Sequence, residues 1–439
     1  MNDSILLDDM QVNDPRDRAL EVLEDKAYSL LREYKGDSYL FGRGVIDQAG
    51  LYLGKYGEKF LIVASETYLA TTVAIREGLE KVNEEVIDVV PGARPNAPRE
   101  DVERICADIL RTQPDAIIAL GGGSTIDACK AADVLAVLGG TVDDYFGTGL
   151  VTKRLEETGK KLIPLLAVAT AASSGSHLTK YANITDIKAG QKKLIVDPAI
   201  VPIAAVFDYN RTLTSPASVT RDGIMDALSH TFEVFCGAKP ETFELTGTLA
   251  RTALELCILC GQRLMQDLSD AEAREGIALA SDLGGYAIMV GGTSGAHLTS
   301  FSLTDVTSHG TACGIMNPYY AVYYAPAVEP QLRQLCEVFS RYELVGDFYG
   351  TLDNHDLAVT FAEAWKTFAE SIGAPTTLLE LPDFTSEHID RMLKAAKDPQ
   401  LAMKLANMPV PMKTEEVDIY MKPVLEAAVT GDFDRIVTH

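Results

Sequence analysis

Five short, nearly unbroken apolar runs, KFLIVAS, EVIDVV, DAIIALGGG, KLIPLLAVAT and PIAAVFD, alternate with helix-patterned stretches as far as Asp208, and none follows it. Strands that are apolar at successive positions are buried on both faces, and strands separated by helices pair in parallel with the helices packed above and below. The expected architecture is therefore an α/β domain over 37–208 with a parallel sheet and helices on both faces. Beyond it, stretches such as TFELTGTLARTALELCILCGQRLM and AEAREGIALASDLGGYAIMVGG carry apolar residues at helical spacing, which predicts an all-α domain over 209–439. The segment 1–36 reads as a helical extension. Within it Asp14 stands at an N-cap position, Pro15 at the first helical position, and Leu20, Leu23, Ala27, Leu30 and Leu31 form one apolar stripe.

Charge narrows the partners. A net charge of −24 repels phosphate backbones and anionic bilayers, so neither nucleic acid nor a membrane surface is expected. The first 35 residues lack the basic start and apolar run of a signal peptide, and no stretch has the ~20 apolar residues of a spanning helix, which predicts a cytoplasmic protein. Assembly into a homo-oligomer is left open. Seven cysteines, at 106, 129, 236, 257, 260, 313 and 336, suit reduced thiols, and Cys257/Cys260 has no second pair beside it, so packing is its expected role.

Two groups of residues carry chemistry. Ile117–Leu120 read as a buried strand running into GGGSTIDACK, where helical spacing begins. Glycines at such a turn let a ligand approach the backbone, and the helix behind it offers unpaired N–H groups to a pyrophosphate. Ser124 adds a hydroxyl, and Asp127 lies one helical turn on. The pattern is neither the six-residue dinucleotide fingerprint nor a P-loop, so a tight structural turn is the competing reading. In RDGIMDALSHTFEVF, Asp226 and His230 stand at i and i+4 and leave one face of a helix. His297 in SGAHLTSF and His309 in SHGTACG fall in the same half. One carboxylate and three imidazoles suit Fe(II), Zn(II), Mn(II) or Co(II) in an open site. Hydrogen-bonded core histidines would leave the same pattern. His355, His388 and His439 sit in polar or terminal contexts and are expected at the surface.

GGGSTIDACK, then T-x-x-x-S-G-S, then DALSH and later SHG, in that order, resembles the iron-containing (group III) alcohol dehydrogenase family over roughly 40–435. The resemblance implies a Rossmann-like dinucleotide-binding domain, a helical metal-binding domain, and an active site in the cleft between them. It implies Asp226, His230, His297 and His309 as ligands of a divalent metal, iron first and zinc as the alternative. Gly122, Gly123 and Ser124 match the pyrophosphate loop. Asn96, Thr170, Ser174 and Lys192 match positions that touch NAD or NADP. The implied reaction is hydride exchange between a nicotinamide and a small alcohol, aldehyde or ketone whose oxygen is polarised by the metal.

The chain departs from the family pattern in four places. Ser65 replaces the acidic residue that often follows the first strand, which opens the ribose site to a 2′-phosphate and so to NADP. His177 stands where the family commonly has Glu, and at the cleft mouth it is expected to relay a proton beside Asp127. Phe301 replaces a second histidine one turn after His297. The interval from His297 to His309 is two residues shorter than usual, which admits an alternative register in which His297 is the shuttle. A lyase of the dehydroquinate-synthase type, using NAD and zinc, and a non-catalytic nucleotide-binding or assembly protein are the rival readings.

Overall fold

The computed structural model describes residues 15–187 and 191–438. Its main sheet has six strands, β1 (Tyr39–Gly42), β2 (Lys59–Ala64), β3 (Glu85–Pro91), β4 (Ala116–Gly121), β6 (Leu165–Ala169) and β9 (Ala204–Asp208). They lie in the order β1-β9-β6-β4-β2-β3, and every pair is parallel. A small second sheet holds β5 (Gly147–Thr148), β7 (Tyr181–Asp186) and β8 (Gln191–Val196), with β7 and β8 antiparallel.

Side-chain alternation shows why the sheet is covered twice. Phe60, Ile62, Ile118, Leu120, Leu166 and Val168 pack with α2 (Ile46–Leu53) and α3 (Leu69–Glu80), whereas Leu61, Val63, Ile117, Ala119, Leu165 and Ala167 pack with α4 (Arg99–Thr112) and α5 (Gly123–Leu138). Successive residues point to opposite faces, so both must be apolar. From β2 the chain steps outward to β3, then returns past β2 to β4 and onward to β6. The order reverses between β2 and β4, and such a switch point opens a crevice at the carboxyl ends of the strands.

After α6 (Leu150–Thr158) and the end of β9, the described residues contain helices and no strand. The helices that build the site are α7 (Ala217–Cys236), α8 (Phe243–Gln266), α9 (Ala271–Val290), α10 (Gly295–Ser300) and α11 (His309–Tyr323). The N-terminal helix α1 (Pro15–Lys35) buries Leu20, Leu23, Ala27 and Leu31 in the core of this helical half, and Tyr28 and Arg43 both bind Glu275 of α9. The expected cap at Asp14 lies outside the described residues.

Two expectations need correction. KLIPLLAVAT becomes strand only from Leu165, after Pro164, and β1, β5, β7 and β8 lie outside the five apolar runs. Among the described residues no helix is long and apolar enough to cross a membrane. All seven cysteines are free, and Cys257 and Cys260 are fully buried with their thiols pushed up by desolvation, as packing residues are.

Candidate metal centre and cofactor cleft

Helix α7 runs through the centre of the helical half, and fifteen of its twenty residues are buried. Asp226, His230 and Glu233 follow one another at i, i+4 and i+7 and form a polar stripe on an otherwise apolar rod. Glycines let the neighbouring backbone close on that stripe. A Cβ on Gly310 would collide with the Asp222 carbonyl and lie 2.8 Å from Asp226 Cβ, and one on Gly314 would lie 2.6 Å from the Met225 side chain. His309 starts α11 directly over Asp226, and α10 brings His297 in from a third direction.

Asp226 Oδ1 is the meeting point. The Nε2 atoms of His230, His297 and His309 lie 3.7, 3.9 and 4.0 Å from it. The His230 and His297 rings stack 4.6 Å apart. Asp226 Oδ1 and His297 Nε2 are buried without any hydrogen-bond partner. An orphaned buried polar atom costs about 1–3 kcal/mol, so a cation shared between them fits the donor set better than packing does.

The far sides of three of these ligands are held, whereas His230 Nδ1 is buried without a partner. His297 Nδ1 lies 2.6 Å from Glu233 Oε1, His309 Nδ1 lies 3.1 Å from Ser300 Oγ, and Ser173 Oγ donates to Asp226 Oδ2 at 3.0 Å. Glu233 is fixed in turn by the Ser294 N–H and Asn317. Such partners set the ring tautomer and raise ligand basicity. Burial lowers the imidazoles, His230 to about 4, and leaves them neutral with lone pairs available. Burial and the nearby Asp222 push the Asp226 carboxyl up to about 7, the cost of placing an acid there without a cation.

The α/β half supplies the opposite wall. Gly122 caps the N-terminus of α5, and Gly123 faces Ser174 so closely that any Cβ would overlap the Ser174 hydroxyl. Ser124 Oγ accepts the Asn96 N–H, and Asn96 is itself in the left-handed region at φ 66°. Thr170 follows β6 with its hydroxyl buried and unpartnered, and Lys192 of β8 is buried. Ser65 is exposed at the end of β2 and caps the turn that follows. Asp127 accepts hydrogen bonds from Ser176 and Asn183 and lines the same cavity as Ser174, His230, His297 and His309. The free helix terminus, the cramped glycines and the orphaned Thr170 hydroxyl fit a bound dinucleotide.

His177 is the correction. Its ring is 3 % exposed, and Nε2 lies 3.0 Å from the Tyr39 hydroxyl and 3.1 Å from Asp282. Tyr39 and Tyr209 both donate to Asp282 Oδ2, and Phe207 packs edge-on against the ring. Gly175, at φ +59°, turns the chain against Gly285 of α9, which carries His177 away from the cavity that its neighbours line. A His177→Gln variant is expected to lose thermal stability while its pH–rate profile superimposes on that of the parent. A shifted profile would restore the relay.

Other residues at the site went unnoticed in the sequence. Glu233 continues the Asp226/His230 stripe and could have been found by extending it one turn. Cys313, four residues after His309, places a thiol with Asp226, His297 and His309 in a group whose ligand atoms lie within 4.8 Å of one another. Ser173, Ser300 and Lys404 gave no signal. His388 is partly buried, with Nδ1 capping Thr385, and His355 is exposed as expected; His439 lies outside the described residues.

Two models of one family match this chain. The iron-containing alcohol dehydrogenase model matches 37–209, and the model of the same family's C-terminal part matches 220–424. The chain belongs to the iron-containing alcohol dehydrogenase family. It is similar to the NAD-dependent methanol dehydrogenase of Bacillus methanolicus, 27% identical over 81% of this chain and 91% of that one. It is also similar to the 1,3-propanediol dehydrogenase of Citrobacter freundii, 28% identical over 74% and 81%. The fold matches that of an alcohol dehydrogenase from Oenococcus oeni, with TM-score 0.74 at 22% identity over 89% of this chain and 97% of that one. These matches do not favour the dehydroquinate-synthase-type alternative.

Proposed function

We propose that this chain is a metal-dependent, NAD(P)-linked alcohol dehydrogenase or carbonyl reductase acting on a small molecule. The observation that carries this reading is the convergence of three neutral imidazoles on the orphaned Asp226 oxygen, with His230, His297 and His309 sharing one cavity with Asp127 and Ser174 of the α/β half. Asp226, His230, His297 and His309 hold the ion. Gly122, Gly123, Ser124, Asn96, Thr170, Ser174 and Lys192 hold the cofactor. When bound, the metal supplies a Lewis acid for the substrate oxygen and the nicotinamide supplies the hydride. Glu233, Ser173 and Ser300 keep the ligand side chains aimed, and Phe301 keeps water from the cavity wall. Asp127, already holding Ser176 and Asn183, orders the nicotinamide side. With Phe301 in place of a second histidine and His177 turned away, no imidazole besides the three ligands lines the cavity among the described residues to take up the alcohol proton.

The test is anaerobic turnover of C2 to C6 alcohols, diols and aldehydes after loading with Fe(II) or Zn(II), with both nicotinamides. Oxidation or reduction of the cofactor by some member of the panel is expected. No turnover with any metal would sink the reading. Because Ser65 brings no carboxylate to the ribose, NADP(H) is expected to be used comparably with NAD(H). A preference for NAD beyond ~100-fold, about 2.7 kcal/mol, would mean that a carboxylate such as Glu66 guards the site after all.

A further inference from the structure

The cavity at the ligands contains a cation that the dehydrogenase reading leaves unused. Lys404, on the short helix Ala402–Ala406, is 3 % exposed and lines the cavity together with His230, His297, Phe301 and His309. Its ammonium lies 5.4 Å from the centre of the Phe301 ring. Its one hydrogen bond among the described residues goes to Thr293 Oγ1.

Lys130 shows what a structural buried lysine looks like in the same protein. The Lys130 ammonium donates to the carbonyls of Ser176, Thr179 and Tyr181 and to the Ser176 hydroxyl, and Asp127 lies 3.7 Å away. Every donor has a home. Lys404 has three donors and fills one, and among the described residues no carboxylate comes within ion-pair distance of it. Glu233, whose field it feels, already serves His297, Ser294 and Asn317. A buried charge left this incomplete is costly unless a ligand completes it.

We propose that the substrate carries, besides its alcohol or carbonyl carbon, an anionic oxygen group such as a carboxylate, and that Lys404 with Thr293 binds this group. The inference rests on the dehydrogenase reading and narrows its substrate class. The chain's overall charge of −24 does not oppose it, because the outer acidic field is screened over ~10 Å at 0.1 M salt, whereas a buried ammonium is screened much less. Phe301 has a part here too, since its ring covers the side of the lysine where water would otherwise compete.

The experiment compares kcat/KM for 4-oxobutanoate and for pentanal, chains of similar length with and without the charge, using metal-loaded enzyme and saturating reduced cofactor. The parent enzyme is expected to favour 4-oxobutanoate at least ~10-fold, and Lys404→Met to lower that ratio ~30-fold or more, as loss of a buried charge partner does. Lys404→Arg should keep most of the preference. A parent enzyme that prefers pentanal overturns the proposal. So does a Lys404→Met variant in which the ratio holds and only the KM for the cofactor rises, which would assign Lys404 to a cofactor phosphate. If neither aldehyde nor any alcohol is turned over, the dehydrogenase reading fails by itself. Calorimetric titration of metal-loaded protein with succinate then decides the site: binding that Lys404→Met abolishes supports it, and absence of binding to the parent protein overturns it.

Discussion

Replacing His230 with Ala will strip the protein of its metal and of its dehydrogenase activity in one step. Three observations make this the largest single effect expected. His230 is the i+4 partner that α7 aims at the same point as Asp226, its Nε2 lies nearest of the three to Asp226 Oδ1, and its ring stacks on that of His297 and so holds a second ligand in place. The substitution also leaves Asp226 buried with one imidazole fewer around it. A Lewis acid contributes several kcal/mol to the barrier, so kcat/KM is expected to fall by ~10³ or more. Metal analysis should read about one ion per chain in the parent, the expected one-site occupancy, and below ~0.1 in the variant. Far-UV circular dichroism should be unchanged, because α7 keeps its apolar faces. Full occupancy in the variant would remove His230 from the ligand set.

The second large effect falls on a residue with no side chain. Gly310→Ala puts a methyl group into the Asp222 carbonyl and against Asp226 Cβ, both on the backbone side of a buried helix that cannot yield as a flexible side chain does. Helices α7 and α11 must separate, and with them the carboxylate and the imidazole of His309. Overpacking of this kind costs about 1–3 kcal/mol, a loss of about 1–3 °C in Tm for a chain of this size. Metal affinity should fall by ~10–100-fold, since the ligands stay present but lose their aim. Gly350→Ala is the control, because a Cβ there meets nothing within 4 Å, and it should stay within ~0.5 kcal/mol of the parent. A Gly310→Ala protein with parental melting temperature and metal content would show that the close approach does not matter.

These two positions also show what could be read from the chain alone. His230 is legible because a helix turns spacing into direction, and the same rule reaches Glu233 and, from His309, Cys313. Gly310 is visible as a letter in SHG, but the carbonyl it makes room for is Asp222, eighty-eight positions earlier, and no local pattern connects them. The buried strands β2, β4, β6 and β9 announce themselves because both faces are apolar. Strand β8 does not, since QKKLIV begins with three polar residues, and it is a strand because β7 pairs with it. His177 was misplaced for a related reason. The strand edge before it does point at the cleft, and Ser174 and Ser176 do line it, but past the left-handed Gly175 the His177 ring turns to Asp282 of α9 instead. Lys404 sits in the largely apolar segment LAMKLANM, nearly a hundred residues beyond the last ligand, so only the folded chain brings it to the cavity.

One divalent ion is expected where Asp226 Oδ1 and the Nε2 atoms of His230, His297 and His309 converge. Anomalous diffraction from crystals of iron- or zinc-loaded protein, collected on both sides of the metal's absorption edge, tests it most directly. A single strong peak bounded by Asp226, His230, His297 and His309 is expected, at ~2.0–2.2 Å from each, the range usual for zinc bound by nitrogen and oxygen. A peak elsewhere, for example at Cys257 and Cys260, or an active enzyme with no peak at all, would contradict it.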